Sequence, residues 1–411
     1  MATSRSGPDA QIADLLSTAK RSLRLSVAFL SRLDDTEQHL EVVEASGPAS
    51  LFFREGVTQR RDTSFCQAIL DGDLPSVIPD VRRSTTAMSL PAARVPRIRS
   101  YVSVPVTLSD GRLYGTFCAA GLTSDHQLGE RDRALMEVLA RAAALIIEPE
   151  VVARARRNEI EHRLLPLLES GGPVVVLQPI VELATGGRIG AEALSRFPVE
   201  WGMAPDACFA EAHSVGLGDQ LELVALARAA EHLDEVGGYV AMNVSPATAL
   251  TPEFAALFDL LPLHRVVLEL SEHDQVGDYP QLAAALAPYR AAGMRLAIDD
   301  VGAGFSSLRH IVVTEPDIIK LDRTLVDGVS SDPVLTTLVR SLVDVAGACG
   351  ARVVAEGIET EADAAALHRL GVHYGQGWHF GRPGPACDLA PCTVAADQDL
   401  DATARSRVVT R

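Results

Sequence analysis

Eight short apolar runs in the second half of this chain each close on a polar residue: Gln178, Glu192, Asn243, Glu269, the pair Asp299 and Asp300, Lys320, Glu356 and Gln376. A strand buried in a barrel has no need of a charge or an amide at its end. A polar terminus on strand after strand therefore predicts side chains converging on one rim. That rim gathers carboxylates, amide groups and one lysine, a donor set for a hard cation such as Mg²⁺ or Mn²⁺; a His and Cys set would suit zinc.

The intervals between these residues say which elements carry them. From Glu192 to Gln376 they recur about every 20 to 50 positions, room for a strand, a helix and a loop each time. Gln178 and Glu192 are only about fourteen residues apart, with Thr185, Gly186 and Gly187 between them. That leaves room for a hairpin and none for a crossover helix. The expected fold is α/β, a modified (β/α)8 barrel over residues 171–392 whose first two strands are antiparallel.

Residues 11–147 read as a separate α/β module: a helix over 11–23, strands at 26–30 and 40–43, a short helix at 64–70, a strand at 76–78, and a hairpin of strands 101–106 and 113–120 around Ser109, Asp110 and Gly111. Leu135, Leu139, Ala142 and Ile146 predict a narrow apolar stripe on its closing helix, suited to a partner helix, which Pro149 should end. Residues 148–170 form a helical linker. Its run from Val152 to Leu168, rich in Arg and Glu, fits two readings, a solvated connector or a parallel dimer seam.

A formal net charge of −17 argues against a nucleic-acid polymer or an anionic membrane surface as partner, since both reward clustered Lys and Arg. An anionic substrate needs cations to enter so acidic a cleft. The six cysteines are scattered without a CxxC pair, the pattern of reduced thiols in a cytoplasmic protein. Cys66 reads as a small buried hydrophobe on a helix. Residues before about 9 and after about 393 lack periodicity.

Seven segments, "LQPIVELATGGRIGAEALSRF", "AMNVSP", "VVLELSE", "LAIDDVGAGFSSL", "DIIKLD", "VVAEGIE" and "GQGWHFGRP", together resemble the EAL domain of cyclic di-GMP phosphodiesterases, in the family order. "TSFCQAILDGDLPSVIPDV", "RSYVSVPVTLSDGRLYGTFCAAG" and "LGERDRALMEVLA" resemble a GAF domain, which implies a small-molecule input or a dimerisation unit. The Cys-His pair of chromophore-binding members is missing.

The EAL resemblance implies a homodimeric enzyme that opens cyclic di-GMP to linear pGpG with two divalent ions per site. It implies Glu192, Asn243, Glu269 and Asp299 around the first ion, and Asp299 with Asp300 at the second. Glu356 and Glu359 lie near the second ion, with Glu356 or Asp300 as general base and Lys320 beside the attacking water. Arg196 falls to a substrate phosphate, Gln178 to the dinucleotide near a guanine, and Gln376 completes the pocket. By the same resemblance Glu272 is expected to anchor a loop containing Gly302, Gly304 and Ser306. Val301 stands where the family has phenylalanine, and Ser271 where it has threonine. The competing reading is a receptor that binds the dinucleotide without turnover and signals to a protein partner.

Overall fold

Hydrophobic side chains alternate along the N-terminal strands, and both faces they create are covered. In β1 (Val27–Leu33) Val27 and Phe29 enter one core while Ala28 and Leu30 enter the other. In β5 (Ser100–Thr107) and β6 (Leu113–Gly121), Val102, Val104, Phe117 and Ala119 oppose Tyr101, Cys118 and Ala120 in the same way. With β2 (Glu37–Ala45), β3 (Thr58–Arg60) and β4 (Val77–Ile78) they form an antiparallel sheet in the order β3-β2-β1-β6-β5-β4. The helix Pro8–Leu23 and the first turns of the helix Glu130–Glu169 cover one face. The computed structural model describes residues 7–271, 278–302, 311 and 313–392, in two units that part between Arg156 and Arg157.

Two expectations about the long helix are corrected. It runs unbroken from Glu130 to Glu169, through Pro149. Proline leaves the carbonyl four residues earlier without its helical donor. That carbonyl belongs to Leu145, which is 74% exposed, so water can serve it. The stripe of Leu135, Leu139, Ala142 and Ile146 does not face outward as a whole: Leu139 is in the core of its own sheet, and Leu135 and Ile146 pack against that core. The exposed large apolar residues of this helix are instead Val138, Leu145, Val152 and Leu165, the first three seven apart. The end of the run that was open to two readings is buried in the second unit, where Ile160, Leu164 and Leu168 pack with Ala212 and Leu221.

The second unit is a closed barrel of β7 (Val174–Glu182), β8 (Arg188–Arg196), β9 (Tyr239–Asn243), β10 (Val266–Ser271), β11 (Arg295–Val301), β12 (Ile318–Leu321), β13 (Arg352–Ala355) and β14 (Tyr374–Gln376). β7 runs antiparallel to both its neighbours, β8 and β14, and every other pairing is parallel. Parallel strands covered on both faces need apolar side chains at nearly every position. Ile180, Ala241, Val267, Ala297, Ile318 and Val354 fill the interior, while Val240, Leu268, Leu296, Ile319 and Val353 belong to the core outside it.

Val301 is fully buried in that outer core. Val301→Phe, which restores the family's residue, is therefore expected to overpack this barrel and lower its stability by about 1–3 kcal/mol. Denaturant unfolding checks this; an unchanged midpoint would mean that the site has room for the ring.

Candidate active site at the barrel mouth

Strand register sorts the polar side chains into two layers. Glu192 of β8 lies beside Ala241, Glu269 of β10 beside Ala297, Lys320 of β12 beside Val354, and Gln376 of β14 beside Ile180. All four neighbours belong to the interior apolar cluster, so alternate strands supply one polar layer directly above it. The intervening strands supply the next, two residues nearer the mouth: Asn243 beyond Ala241, Asp299 beyond Ala297, and Glu356 beyond Val354. Gln178 completes that layer from within β7, not from its end, because the strand is reversed and Gln178 pairs with Glu192.

Lys320, 1% exposed, is the hub. Its Nζ lies 2.6 Å from Glu356 Oε1, 2.8 Å from Glu269 Oε2, 3.2 Å from Asp299 Oδ2 and 3.4 Å from Glu192 Oε2. Gln376 Nε2 donates to Glu192 Oε2 at 2.6 Å and to Gln178 Oε1 at 3.0 Å, and Asn243 Nδ2 donates to Glu192 Oε1 at 3.1 Å. Gln376 Oε1 is buried and accepts no hydrogen bond among the described residues. Asn243 does not cap the helix that follows; Ser245 does, accepting from the Thr248 N–H.

Burial and charge pull the acids apart. Burial drives the Glu269 and Glu356 carboxyls well above their usual range, the Lys320 ammonium opposing it and neighbouring carboxylates adding to it. Burial also works against ionised Glu192, but Lys320 and the donors Gln376 and Asn243 outweigh it and hold that carboxyl low. Lys320 stays protonated despite burial because Asp299, Glu192, Glu269 and Glu356 surround it.

Four acids crowd one ammonium in a low-dielectric mouth, so they do not all ionise unless further cations enter. Carboxylate oxygens of Glu192, Glu269 and Asp299 lie within 4.8 Å of one another, and so do those of Asp299, Asp300 and Glu356. Asp299 belongs to both groups. Such clusters of hard oxygens are a donor set that fits divalent cations such as Mg²⁺ or Mn²⁺.

The pairing of β11 with β12 slips by one residue between Ile298 and Val301, and Asp300 within the slip has φ of 57°. A bulge of this kind re-aims side chains beside a site, and a left-handed non-glycine residue carries strain. Gly302 follows at φ 121°, where a Cβ would strike the Leu325 side chain.

Other expected residues are not gathered. Glu359 pairs with Arg323 at 2.8 Å, drawn there by an exposed cation. Arg196 ends β8 on the mouth side, and its Nη1 donates to the Ser195 carbonyl. Glu272, Gly304 and Ser306 lie outside the described residues.

Sequence reasoning missed Glu222. This carboxylate is 7% exposed; its Oε1 meets His213 Nε2 at 2.7 Å and its Oε2 accepts the Ser245 N–H at 2.9 Å. It therefore fixes the turn two residues after Asn243. The available signal was a charge among Leu221, Leu226 and Ala229, on the buried face of the helix Gly218–Glu231. Glu222→Ala strands the Ser245 N–H and should cost about 1–3 kcal/mol of stability. Urea titration is the check, and an unchanged midpoint would mean that the turn holds itself.

A closed barrel with one reversed strand and two acidic clusters at its mouth is a modified (β/α)8 fold. Residues 158–383, more than half of the chain, match the EAL domain family, and residues 8–148 match the GAF domain family. The protein belongs to the EAL domain family and carries an N-terminal GAF domain. It is 31% identical over 241 residues to the probable cyclic di-GMP phosphodiesterase PdeB of Escherichia coli, across 56% of this chain and 46% of PdeB. It is 30% identical to the probable cyclic di-GMP phosphodiesterase PdeA of the same organism, across 54% of this chain and 32% of PdeA. The match thus spans about half or less of these curated relatives. Among solved structures, the PaMucR phosphodiesterase in complex with c-di-GMP is 28% identical, with a TM-score of 0.50, covering 56% of this chain and 100% of that one. No helix among the described residues is long and apolar enough to cross a membrane.

Proposed function

We propose that this protein hydrolyses cyclic di-GMP, opening one phosphodiester to give linear pGpG with the help of two divalent cations, Mg²⁺ or Mn²⁺, at the barrel mouth. The observation that carries the reading is the buried Lys320 ammonium surrounded by four acids, a crowd that ionises fully, and admits a doubly anionic substrate, only when further cations offset it. Bound there, such ions acidify a water and offset charge on the phosphate and the leaving oxygen.

The chain's own groups do the rest. Glu192, Asn243, Glu269 and Asp299 would hold the first cation, and Asp299 with Asp300 would hold the second. Glu356 takes the proton of the attacking water, with Asp300 as the alternative base. Lys320, kept charged by its four partners, orients that water and screens the developing charge. Water attacks phosphorus in line with the ribose oxygen that leaves, so one ring bond opens. Arg196 holds a phosphate oxygen, Gln178 contacts the base side of the dinucleotide, and Gln376 presents its unpartnered Oε1 to the pocket. Glu359, tied to Arg323, takes no step in this scheme.

The GAF domain is the regulatory input and dimer scaffold of this reading. Exposed Val138, Leu145 and Val152, seven residues apart on one helix, support a homodimer through a parallel seam. Purified protein incubated with cyclic di-GMP and Mg²⁺ should release pGpG, and chelation should stop it. Binding without any linear product would make the protein a receptor.

A further inference from the structure

The GAF domain holds a buried polar cluster that the hydrolytic reading does not use. On the sheet face covered by the short helix Phe65–Leu70, Cys66 is 1% exposed and Cys118 of β6 is fully buried. Their sulfurs lie 3.3 Å apart. Tyr101 Oη is 3.0 Å from Cys66 Sγ, and Gln38 Nε2 donates to the same sulfur at 3.0 Å. Ser103 Oγ and Thr116 Oγ1 each lie 3.2 Å from Cys118 Sγ, and Ser31 ties Thr116 to Gln38. An apolar face would need none of these groups.

We propose that Cys66 and Cys118 form a modification site, a dithiol that a hydroperoxide converts to a disulfide and a thiol reductant restores. A bonded pair of sulfurs is about 2.05 Å apart, so closing the gap asks for a shift of roughly 1.2 Å, within reach of side-chain adjustment on a six-residue helix.

The surroundings also divide the labour. Burial opposes ionisation of Cys66, but hydrogen bonds from Cys118, Thr116, Tyr101 and Gln38 outweigh it and bring the thiol down to about 6. Burial pushes the Cys118 thiol well up. Gln38 Nε2 donates to Cys66 Sγ and Tyr101 Oη lies beside it, so a thiolate is best supported there, with Cys66 the nucleophile and Cys118 the resolving thiol. The Cys66 thiolate attacks one peroxide oxygen, the O–O bond breaks, and the departing oxygen takes up a proton as water or alcohol while a sulfenic acid stays on Cys66. The Cys118 sulfur then attacks the Cys66 sulfur, the S–S bond forms, the S–O bond breaks, and hydroxide leaves as water with the Cys118 proton. Two thiols lose two electrons in total, and one hydroperoxide gains them. Because both thiols are buried, the proposal requires local opening of the short helix to admit the small oxidant.

The test uses the reduced full chain, treated with hydrogen peroxide, quenched in acid, denatured, blocked with N-ethylmaleimide and mapped by mass spectrometry. The expected result is the loss of two free thiols and a peptide linking Cys66 to Cys118 that dithiothreitol abolishes. Exposed Cys387 serves as the internal comparator. If Cys66 and Cys118 are both still blocked by the maleimide after Cys387 has been oxidised, or if only other pairs become linked, the proposal is overturned. In Cys118→Ala, Cys66 should instead accumulate as a sulfenic acid trapped by dimedone; should that variant not fold, the map of the unaltered chain still decides. The outcome is independent of whether the barrel hydrolyses cyclic di-GMP.

Discussion

Glu192→Ala is expected to lower turnover of cyclic di-GMP by well over a hundredfold while leaving the barrel folded. Even the outer partners of metal ligands cost about 10–100-fold when removed, and Glu192 is placed here as a direct ligand. Its carboxylate also organises the mouth, because Gln376, Asn243 and Lys320 all converge on it. Alanine strands two amide donors but removes one of four crowded negative charges, so the two effects on stability oppose each other. The melting temperature should move by no more than about 4 °C, the shift that roughly 1 kcal/mol makes in a domain of this size. Product chromatography with circular dichroism on the same sample checks both halves. A variant that keeps a near-normal rate removes Glu192 from the ligand set.

Lys320→Met should have the second large effect, this time on stability as well as rate. The side chain is 1% exposed and meets four carboxylates. Removing one partner of a buried ion pair costs about 3–5 kcal/mol, because the other partner is left uncompensated. Metal-free Lys320→Met is expected to lose that much in denaturant titration, and added Mg²⁺ should return part of it by binding only the folded state. Turnover should not return, since a cation held at the ligands does not replace a proton-bearing group beside the water. Equal stability with and without the lysine would mean that the carboxylates are neutral in the folded protein and that the ammonium is not their counter-charge.

The barrel's polar residues were legible in the sequence for a simple reason. Each follows or interrupts an apolar run that a buried strand requires, so Glu269 after "VVL" or Lys320 after "DII" stands out against its neighbours. The reversed first strand was legible from the short interval between Gln178 and Glu192. Features that depend on which partner wins were not legible. Glu359 lies three residues after Glu356, yet Arg323, distant in sequence, claims it. Asp300 adopts a left-handed backbone in a bulge, a conformation set by strand pairing and not by residue type. The helix persists through Pro149 because an exposed carbonyl can turn to water. Cys66 was rightly read as buried, but its contact with Cys118 joins residues 52 apart in sequence, which no local pattern reports.

The most direct test of the account is anomalous diffraction from crystals of the full chain grown with Mn²⁺. The expected map has two peaks in the barrel mouth about 3.5–4 Å apart, one against Glu192, Asn243, Glu269 and Asp299 and the other against Asp299 and Asp300. A mouth without manganese, or ions bound elsewhere with Glu192 and Asp299 touching none, would contradict it.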